Sequence, residues 1–96
     1  MNPRSPLPIL AALGTNIRKN RNALGLSQMR VAEQAGLHRT YIADLERGAR
    51  NPSLISMARI ACALKLSVSD LCRGIDNHFS VESLKNLSNQ VSSRVD

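Results

Sequence analysis

A window of twenty residues, from Gln28 to Arg47, constrains the fold of this chain more than any other feature. It contains a small residue, a glycine four positions later, and apolar residues six and nine positions after that glycine. The residues that set this pattern are Val31, Ala32, Ala35, Gly36, Leu37, Ile42 and Leu45. Such spacing places each apolar group on one face of a short helix, and it predicts two helices that pack at a steep angle.

Two short helices in this arrangement form a helix-turn-helix, whose second helix lies in the major groove of DNA. The charge of the chain agrees with a polyanionic partner, because 13 Lys and Arg residues outnumber 7 Asp and Glu residues. Much of the basic excess lies between Arg18 and Arg50. With one Tyr and one Phe, the chain lacks the aromatic platforms that single-stranded nucleic acid requires. Double-stranded DNA is therefore the expected partner.

The sequence argues against a membrane protein. No apolar run approaches the roughly 20 residues that are needed to cross a bilayer. The first residues hold three prolines and lack the apolar run and small-residue site of a signal peptide. We therefore expect a cytoplasmic protein.

Sites for metal, cofactor or catalysis are not predicted. Cys62 and Cys72 have no partners at metal-ligand spacing, and we expect buried, reduced thiols rather than a disulfide or zinc site. Paired carboxylates, a nucleophile–base set and a phosphate-binding glycine loop are also missing from the sequence. We therefore expect no enzyme activity and no cofactor.

The predicted fold is all-α, a compact domain of five helices followed by an extra C-terminal helix. We expect a flexible lead-in over residues 1–8, a DNA-binding domain over residues 9–74 and a C-terminal extension over residues 75–96. The expected helices run from about Ile9 or Leu10 to Ala23, then Gln28–Ala35, Arg39–Arg47, Leu54–Lys65, Val68–Arg73 and Val81–Ser92.

Local signals support these boundaries. Four serines fit N-cap positions at the starts of helices: Ser27, Ser53, Ser67 and Ser80. In the first helix, apolar residues that recur from Leu10 to Leu24 predict a buried stripe, and Gly14 weakens its early part.

The outward stripe of the third helix carries the candidate base contacts. With Ile42 and Leu45 pointing inward, the opposite side presents Arg39, Thr40, Ala43, Asp44 and Arg47. An arginine can bond guanine O6 and N7 through two donors, and a threonine can offer its hydroxyl or pack its methyl against thymine. Ala43 permits close approach, whereas Asp44 should orient a neighbouring arginine or accept from cytosine N4. The alternative is that this stripe is only a solvated helix face.

Candidate phosphate contacts lie at the start of the second helix and around the loop that follows the third helix. They are Gln28, Arg30, Arg47, Arg50, Asn51 and Ser53. The alternatives are that Gln28 is a plain surface residue and that Ser53 is only a helix cap.

Four further side chains have competing interpretations. Arg21 is a candidate for contact with a phosphate from the first helix, and the equal alternative is that it does not contact DNA. Tyr41 lies at the edge between the core and the DNA-facing side, and we expect it to pack against the core rather than contact a phosphate. Arg18 and Glu46 are candidates for an ion pair that bridges the first and third helices.

The chain resembles the Cro and phage-repressor helix-turn-helix family over about Leu13 to Gly74. The motifs that carry the resemblance are Leu26-Ser27-Gln28, Val31-Ala32, Ala35-Gly36-Leu37, Ile42, Leu45-Glu46-Arg47-Gly48 and Asn51-Pro52-Ser53-Leu54. The run from Gly36 to Ile42, followed by Glu46-Arg47-Gly48 and Arg50-Asn51, looks most like the controller proteins of restriction–modification systems. The resemblance implies a repressor-like fold of five helices.

The same resemblance implies a homodimer that regulates transcription from a palindromic operator, as activator or repressor. It implies base contacts at Arg39 and Thr40, and phosphate contacts around Gln28 and the loop at Arg50 and Asn51. It also implies a dimer surface on the last helices, at Val68, Leu71, Leu84 and Leu87. RNA polymerase is a candidate further partner.

Two features depart from the family pattern. Arg30 stands three places after the cap Ser27, where the family often has an acidic residue, and a phosphate contact from Arg30 would explain the exchange. Residues 75–96 are not covered by the resemblance. The alternative function is therefore an antitoxin-type or phage-type repressor whose C-terminal extension binds a protein partner.

Overall fold

The structure is a computed structural model that describes residues 7–85 of the chain. Its helices are α1 (Pro8–Ala23), α2 (Gln28–Ala35), α3 (Arg39–Glu46), α4 (Leu54–Ala63), α5 (Val68–Leu71) and a 3-10 helix (Ile75–His78). Residues 81–85 are also helical, and we call them the final helical segment. Strands are absent from the described range. The predicted all-α fold is confirmed.

Serine caps define where several helices begin, as the sequence predicts. Each serine hydroxyl accepts a hydrogen bond from the backbone N–H three residues later, at 2.9 to 3.2 Å. The four capping residues are Ser27, Ser53, Ser67 and Ser80. Helix α1 begins instead at Pro8, one or two residues earlier than the predicted Ile9 or Leu10, because the missing N–H of proline costs no hydrogen bond at the first helical position.

A single apolar core is shared by the five α-helices, α1 through α5. Its fully buried members are Ile17, Val31, Ile42, Leu45, Ile60 and Leu71. The predicted faces of α2 and α3 therefore point inward, but the predicted stripe of α1 is wrong at its last position. Leu24 lies beyond the end of α1 and is exposed, because the chain turns away at Gly25 in the left-handed conformation.

Gly14 allows α1 to lie directly against the C-terminal end of α3. A Cβ atom at this position would overlap the carbonyl oxygen of Leu45 and lie 2.7 Å from the carbonyl oxygen of Glu46. The sequence treats Gly14 as a weak point of α1. In the fold, the missing side chain is what permits the contact between the two helices.

Three predicted helix ends differ from the structure, and the first is that of α3, which ends at Glu46 rather than Arg47. Helix α5 ends at Leu71 rather than Arg73, and the side-chain amide of Asn16 on α1 donates to the carbonyl oxygens of both residues at 2.9 Å. Helix α4 ends at Ala63, because Lys65 has a left-handed backbone with a φ of 59°. The 3-10 helix that follows α5 packs on α1 and was not predicted.

The two cysteines are free, but the prediction that both are buried is wrong. Cys62 is exposed on α4, and Cys72 is half-buried. Burial and the nearby charge of Asp76 raise the pKa of the Cys72 thiol above its usual value. Among the described helices, none has the length and apolar character to span a membrane.

Candidate nucleic-acid interface

Helix α3 has one face in the core and one face in solvent. Ile42 and Leu45 are almost completely buried, whereas Arg39 and Thr40 at the N-terminal end of the helix are exposed. We call the solvent side the outer face of α3, and its members are Arg39, Thr40, Ala43, Asp44 and Arg47. An exposed helix that carries Arg39 and Arg47 has the size and charge that a major groove accepts.

Asp44 binds two arginines at the C-terminal end of this outer face. Its carboxylate contacts the guanidinium of Arg47, one turn along α3, and lies 3.7 Å from Nε of Arg50. The guanidinium of Arg50 also lies 5.0 Å from the ring centre of Tyr41, within cation–π range. Asp44 therefore orients neighbouring arginines, which is one of its two predicted roles, and Tyr41 packs against the core as favoured.

A shallow depression of about 590 Å³ lies between the starts of α3 and α4. Its lining is formed by Leu37, His38, Thr40, Tyr41, Arg50, Ser53 and Ser56. The depression brings the exposed N-terminal end of α3 together with the loop that carries Arg50. The candidate base contact Thr40 and the candidate phosphate contacts Arg50 and Ser53 are thus neighbours on one surface.

A buried carboxylate lies behind this surface. Glu46 is only 4% exposed, and its oxygens accept two hydrogen bonds from Arg21 of α1, at 2.6 and 2.9 Å. Arg18 is more distant, with Nε 3.8 Å from the Glu46 carboxylate, and it donates to the backbone carbonyl of Glu46 at 3.1 Å. The predicted ion pair between α1 and α3 exists, but its main cation is Arg21. Because the guanidinium of Arg21 donates hydrogen bonds inside the protein, the main role of Arg21 is this ion pair and not contact with a phosphate.

The surroundings of Glu46 keep it ionised. Burial acts to raise the pKa of this carboxyl, but the hydrogen bonds from Arg21 and Gln28 and the charges of Arg21 and Arg18 lower it more. The net effect is a pKa below the ordinary value for glutamate. The same contact raises the pKa of Arg21.

Gln28 connects this buried carboxylate to the outer face of α3. Its Nε2 donates to Glu46 at 3.1 Å, and its Oε1 accepts a hydrogen bond from Nη1 of Arg39 at 3.3 Å. The interpretation of Gln28 as a plain surface residue is wrong. Apolar spacing does not predict this link, since Gln28 lies on α2 whereas Arg39 and Glu46 lie at opposite ends of α3.

The other predicted phosphate residues lie at the surface. Arg30 is exposed on α2, with Nη1 3.7 Å from the carboxylate of Glu33. Asn51 is exposed in the loop before α4, and Ser53 is exposed while it caps that helix.

The predicted dimer residues are not equivalent. Leu71 is 0% exposed within its own chain, so its assignment to a dimer surface is wrong, because no side-chain area remains for a partner. Val68 is half-buried against the core, and Leu84 is 37% exposed on the final helical segment. Leu87 lies outside the described residues. Two adjacent exposed aliphatic residues at the start of α4, Leu54 and Ile55, are not among the predicted contact residues.

Comparison with known proteins identifies the family. The sequence model of the helix-turn-helix family matches residues 17–71, which span α2 and α3 and most of the core. The chain belongs to the helix-turn-helix family. The matched range contains the Gln28 to Arg47 window from which the fold was predicted.

Individual relatives give more detail. The control protein C.SmaI of Serratia marcescens is 45% identical over 65 residues, which cover 68% of this chain and 77% of that protein. The immunity repressor protein of Bacillus phage phi105 is 42% identical over 57 residues, covering 59% of this chain and 40% of the repressor. The crystal structure of the restriction–modification controller protein C.AhdI from Aeromonas hydrophila superimposes with a TM-score of 0.64 at 40% identity, covering 65% of this chain and 94% of that chain.

These matches agree with the surface described above. The chain is a DNA-binding transcriptional regulator that resembles restriction–modification controller proteins, and these relatives are regulators rather than enzymes. The predicted family and the predicted class of function are both confirmed.

Proposed function

We propose that this protein regulates transcription in the cytoplasm by binding as a homodimer to a palindromic operator, with α3 of each copy in a major groove. The outer face of α3 carries the proposal. Arg39 and Thr40 project from the N-terminal end of a helix whose opposite side is anchored by Ile42 and Leu45. Side chains at that end of a recognition helix are the ones that reach base edges.

The base contacts follow from the chemistry of the outer face. The guanidinium of Arg39 suits guanine, which offers two acceptors in the major groove. Thr40 adds a hydroxyl and a methyl group, and Ala43 leaves room for the helix to approach. Asp44 holds Arg47 and Arg50, and its carboxylate can also accept a hydrogen bond from cytosine N4.

The phosphate contacts surround these base contacts. They are Gln28, Arg30, Arg47, Arg50, Asn51 and Ser53. Gln28 has a second amide hydrogen available for a phosphate, since only one is needed by Glu46. The net charge of +6 supports a large phosphate contribution to affinity. Binding should therefore weaken steeply as salt rises, because each neutralised phosphate releases counterions.

The homodimer is supported by the resemblance to controller proteins and by apolar surface near the end of the described chain. Val81 and Leu84 on the final helical segment are 71% and 37% exposed. Together with Val68 and with Leu87 further along the chain, they are the proposed contact between copies. RNA polymerase is the proposed further partner when the bound site lies beside a promoter.

Selection of bound sequences from a random duplex pool tests this function. We expect an inverted repeat whose half-sites lie about 34 Å apart, or about one helical turn, with two copies of the protein on each duplex. Light scattering of the selected complex gives the number of copies. Failure to enrich any sequence, or enrichment of a single half-site bound by one copy, would contradict the proposal.

A second candidate keeps DNA binding and assigns the C-terminal extension to a partner protein, as in an antitoxin-type or phage-type repressor. The exposed Val81 and Leu84 favour it equally. Deletion of residues 81–96 separates the candidates and spares the 3-10 helix that packs on α1. A dimer contact predicts that the deleted chain is monomeric and melts at a lower temperature. If this surface instead binds another protein, the deletion should leave self-association and melting temperature unchanged.

A further inference from the structure

His38 is the residue at which the recognition helix α3 begins. Its carbonyl oxygen accepts hydrogen bonds from the backbone N–H groups of Tyr41 and Ile42, at 3.0 and 3.2 Å. Its exposed side chain makes no capping hydrogen bond to the helix. A serine or aspartate at this position could cap α3, as serines cap four other helical segments of the described chain. The backbone of His38 is therefore fixed by α3, whereas its imidazole does not cap that helix.

The imidazole shares the shallow depression with two of the proposed phosphate contacts. His38 lines this depression together with Arg50 and Ser53. The rest of its polar lining consists of hydroxyl side chains: Thr40, Tyr41 and Ser56. The described lining contains no carboxylate, and Asp44, which contacts Arg50, lies outside it. A lining of guanidinium, imidazole and hydroxyl groups offers hydrogen-bond donors to a phosphate.

Cations surround His38 on three stretches of the chain. Arg39 follows it in sequence, and Arg50 lines the same depression. Arg59 of α4 lies over the turn that precedes His38, since its Nη1 is 3.5 Å from the place that a Cβ atom of Gly36 would take. A phosphate in the depression supplies the negative charge with which an imidazolium at this place can pair.

We propose that His38 contacts a phosphate of the DNA backbone as an imidazolium, so that each copy of the protein takes up a proton from solvent when it binds DNA. This inference rests on the proposed function, in which Arg50 and Ser53 contact phosphates. Histidine changes its charge between pH 5 and 8, and its protonated ring donates from both nitrogens. Because the charged ring is favoured in the complex, affinity should rise as the pH falls through this interval.

A phosphate contact also determines how the pH effect depends on sequence. Phosphates carry no sequence information, so the effect should be the same on operator and random DNA. A base contact by the same imidazolium would instead strengthen binding to the operator alone at low pH. The comparison of two duplexes therefore separates a contact with the backbone from a contact with a base.

Other groups of the fold provide little pH dependence in this interval. Glu46 stays ionised, because its pKa lies below the ordinary glutamate value. The Cys72 thiol stays protonated, because its pKa is raised. The chain has two histidines, and the second, His78, is exposed on the 3-10 helix that packs on α1. His78→Gln is therefore the matched control for His38→Gln.

Anisotropy titrations at pH 6 and pH 8 test the proposal, with the duplex selected from the random pool and with a random duplex at one salt concentration. The quantity compared is the ratio of the affinities at the two pH values. We expect binding by the wild type to be about fivefold tighter at pH 6 for each copy bound, on both duplexes. His38→Gln should bring this ratio close to one, and His78→Gln should leave it at the wild-type value.

A second variant at the same position keeps the charge fixed. His38→Lys is positively charged at both pH values, so it should bind at pH 8 about as tightly as the wild type binds at pH 6. Its affinity should change little between the two pH values. Melting curves at both pH values establish that each variant is folded at the temperature of the titration.

The possible failures are distinguishable. A pH ratio that survives His38→Gln, or that falls equally with His78→Gln, would overturn the role of His38. A pH effect confined to the operator would overturn the phosphate contact. Arg50→Ala checks the proposed function separately: unchanged affinity for both duplexes would overturn the phosphate-binding surface itself. Weaker binding by Arg50→Ala, combined with an intact pH ratio for His38→Gln, would overturn the role of His38 alone.

Discussion

The guanidinium of Arg21 meets the carboxylate of Glu46 through two hydrogen bonds, from Nε to Oε2 at 2.6 Å and from Nη2 to Oε1 at 2.9 Å. The third nitrogen of Arg21, Nη1, donates to the carbonyl oxygen of Leu26 at 2.9 Å. One side chain of α1 thus fixes both the end of α3 and the segment that leads into α2. This contact therefore joins α1 to both helices of the helix-turn-helix.

Glu46→Gln should destabilise the fold at neutral pH. The side chain of Arg21 is only 13% exposed, and the substitution leaves its charge without a counter-ion. Removing one member of a buried ion pair typically costs about 3 kcal/mol or more. We expect a drop of that size in the free energy of unfolding, measured by urea denaturation. Glu33→Gln, which removes an exposed carboxylate of α2, should change stability by well under 1 kcal/mol.

The contribution of Glu46 to stability should depend on pH. Its pKa is lower in the folded chain than in the unfolded chain, so the unfolded state binds more protons as the solution is acidified. The stabilisation is complete above the ordinary glutamate pKa of about 4.3, and it is lost as the pH falls through the lower pKa of the folded state. The stability difference between the wild type and Glu46→Gln should therefore shrink from pH 7 towards pH 3. A constant difference over this interval would contradict the assignment.

Gly14→Ala should also destabilise the protein, although alanine is the better helix former. Helix propensity alone favours alanine by about 1 kcal/mol. The added methyl group would overlap the backbone carbonyls at the end of α3, however, and such overpacking costs about 1–3 kcal/mol or more. We expect a net decrease in the melting temperature. Thr15→Ala, at the neighbouring exposed position of α1, serves as the control and should have little effect.

Local signals predicted the fold well, whereas contacts between helices were beyond them. The serine caps and the apolar spacing of α2 and α3 depend on neighbours in sequence, and the structure bears them out. Arg18 and Arg21 are both basic residues of α1, and spacing cannot decide which of them reaches Glu46. The choice depends on how closely α1 approaches α3, and that approach is set by Gly14.

Apolar spacing also cannot say which molecule covers an apolar face. Leu71 was assigned to a dimer surface, but it is buried by its own chain. Leu24 fits the stripe of α1 by its spacing, yet the helix ends before the residue can be covered. The two errors have different causes. The dimer assignment of Leu71 follows from the family resemblance, whereas the burial expected of Leu24 follows from a periodic pattern that does not show where the helix ends.

Asp44→Asn should increase affinity for random DNA. The carboxylate opposes the approach of phosphates, and it also occupies Arg47 and Arg50. Without it, both arginines can turn towards the backbone, so we expect affinity for a random duplex to rise about threefold at low salt. Fluorescence anisotropy at several salt concentrations measures the change.

The matched control for this charge change is Glu82→Gln on the final helical segment, which alters net charge equally but lies outside the outer face of α3. It should raise affinity less than Asp44→Asn does. Weaker binding of Asp44→Asn to random DNA would show that Asp44 supports the backbone contacts, contrary to expectation.

Arg39→Ala and Arg50→Ala should weaken binding in different ways. Arg39 projects from the N-terminal end of α3, and its loss should cost about 1–3 kcal/mol on the operator and relax the preference at one base position. Arg50 lies beside Tyr41 in the loop that follows α3, so its loss should weaken operator and random DNA by the same factor. The salt dependence should become shallower by about one unit of slope. Anisotropy titrations with both duplexes, repeated at several salt concentrations, separate the two patterns. Identical patterns for the two variants would remove the assignment of Arg39 to a base, because an arginine that contacts only phosphate cannot distinguish one sequence from another.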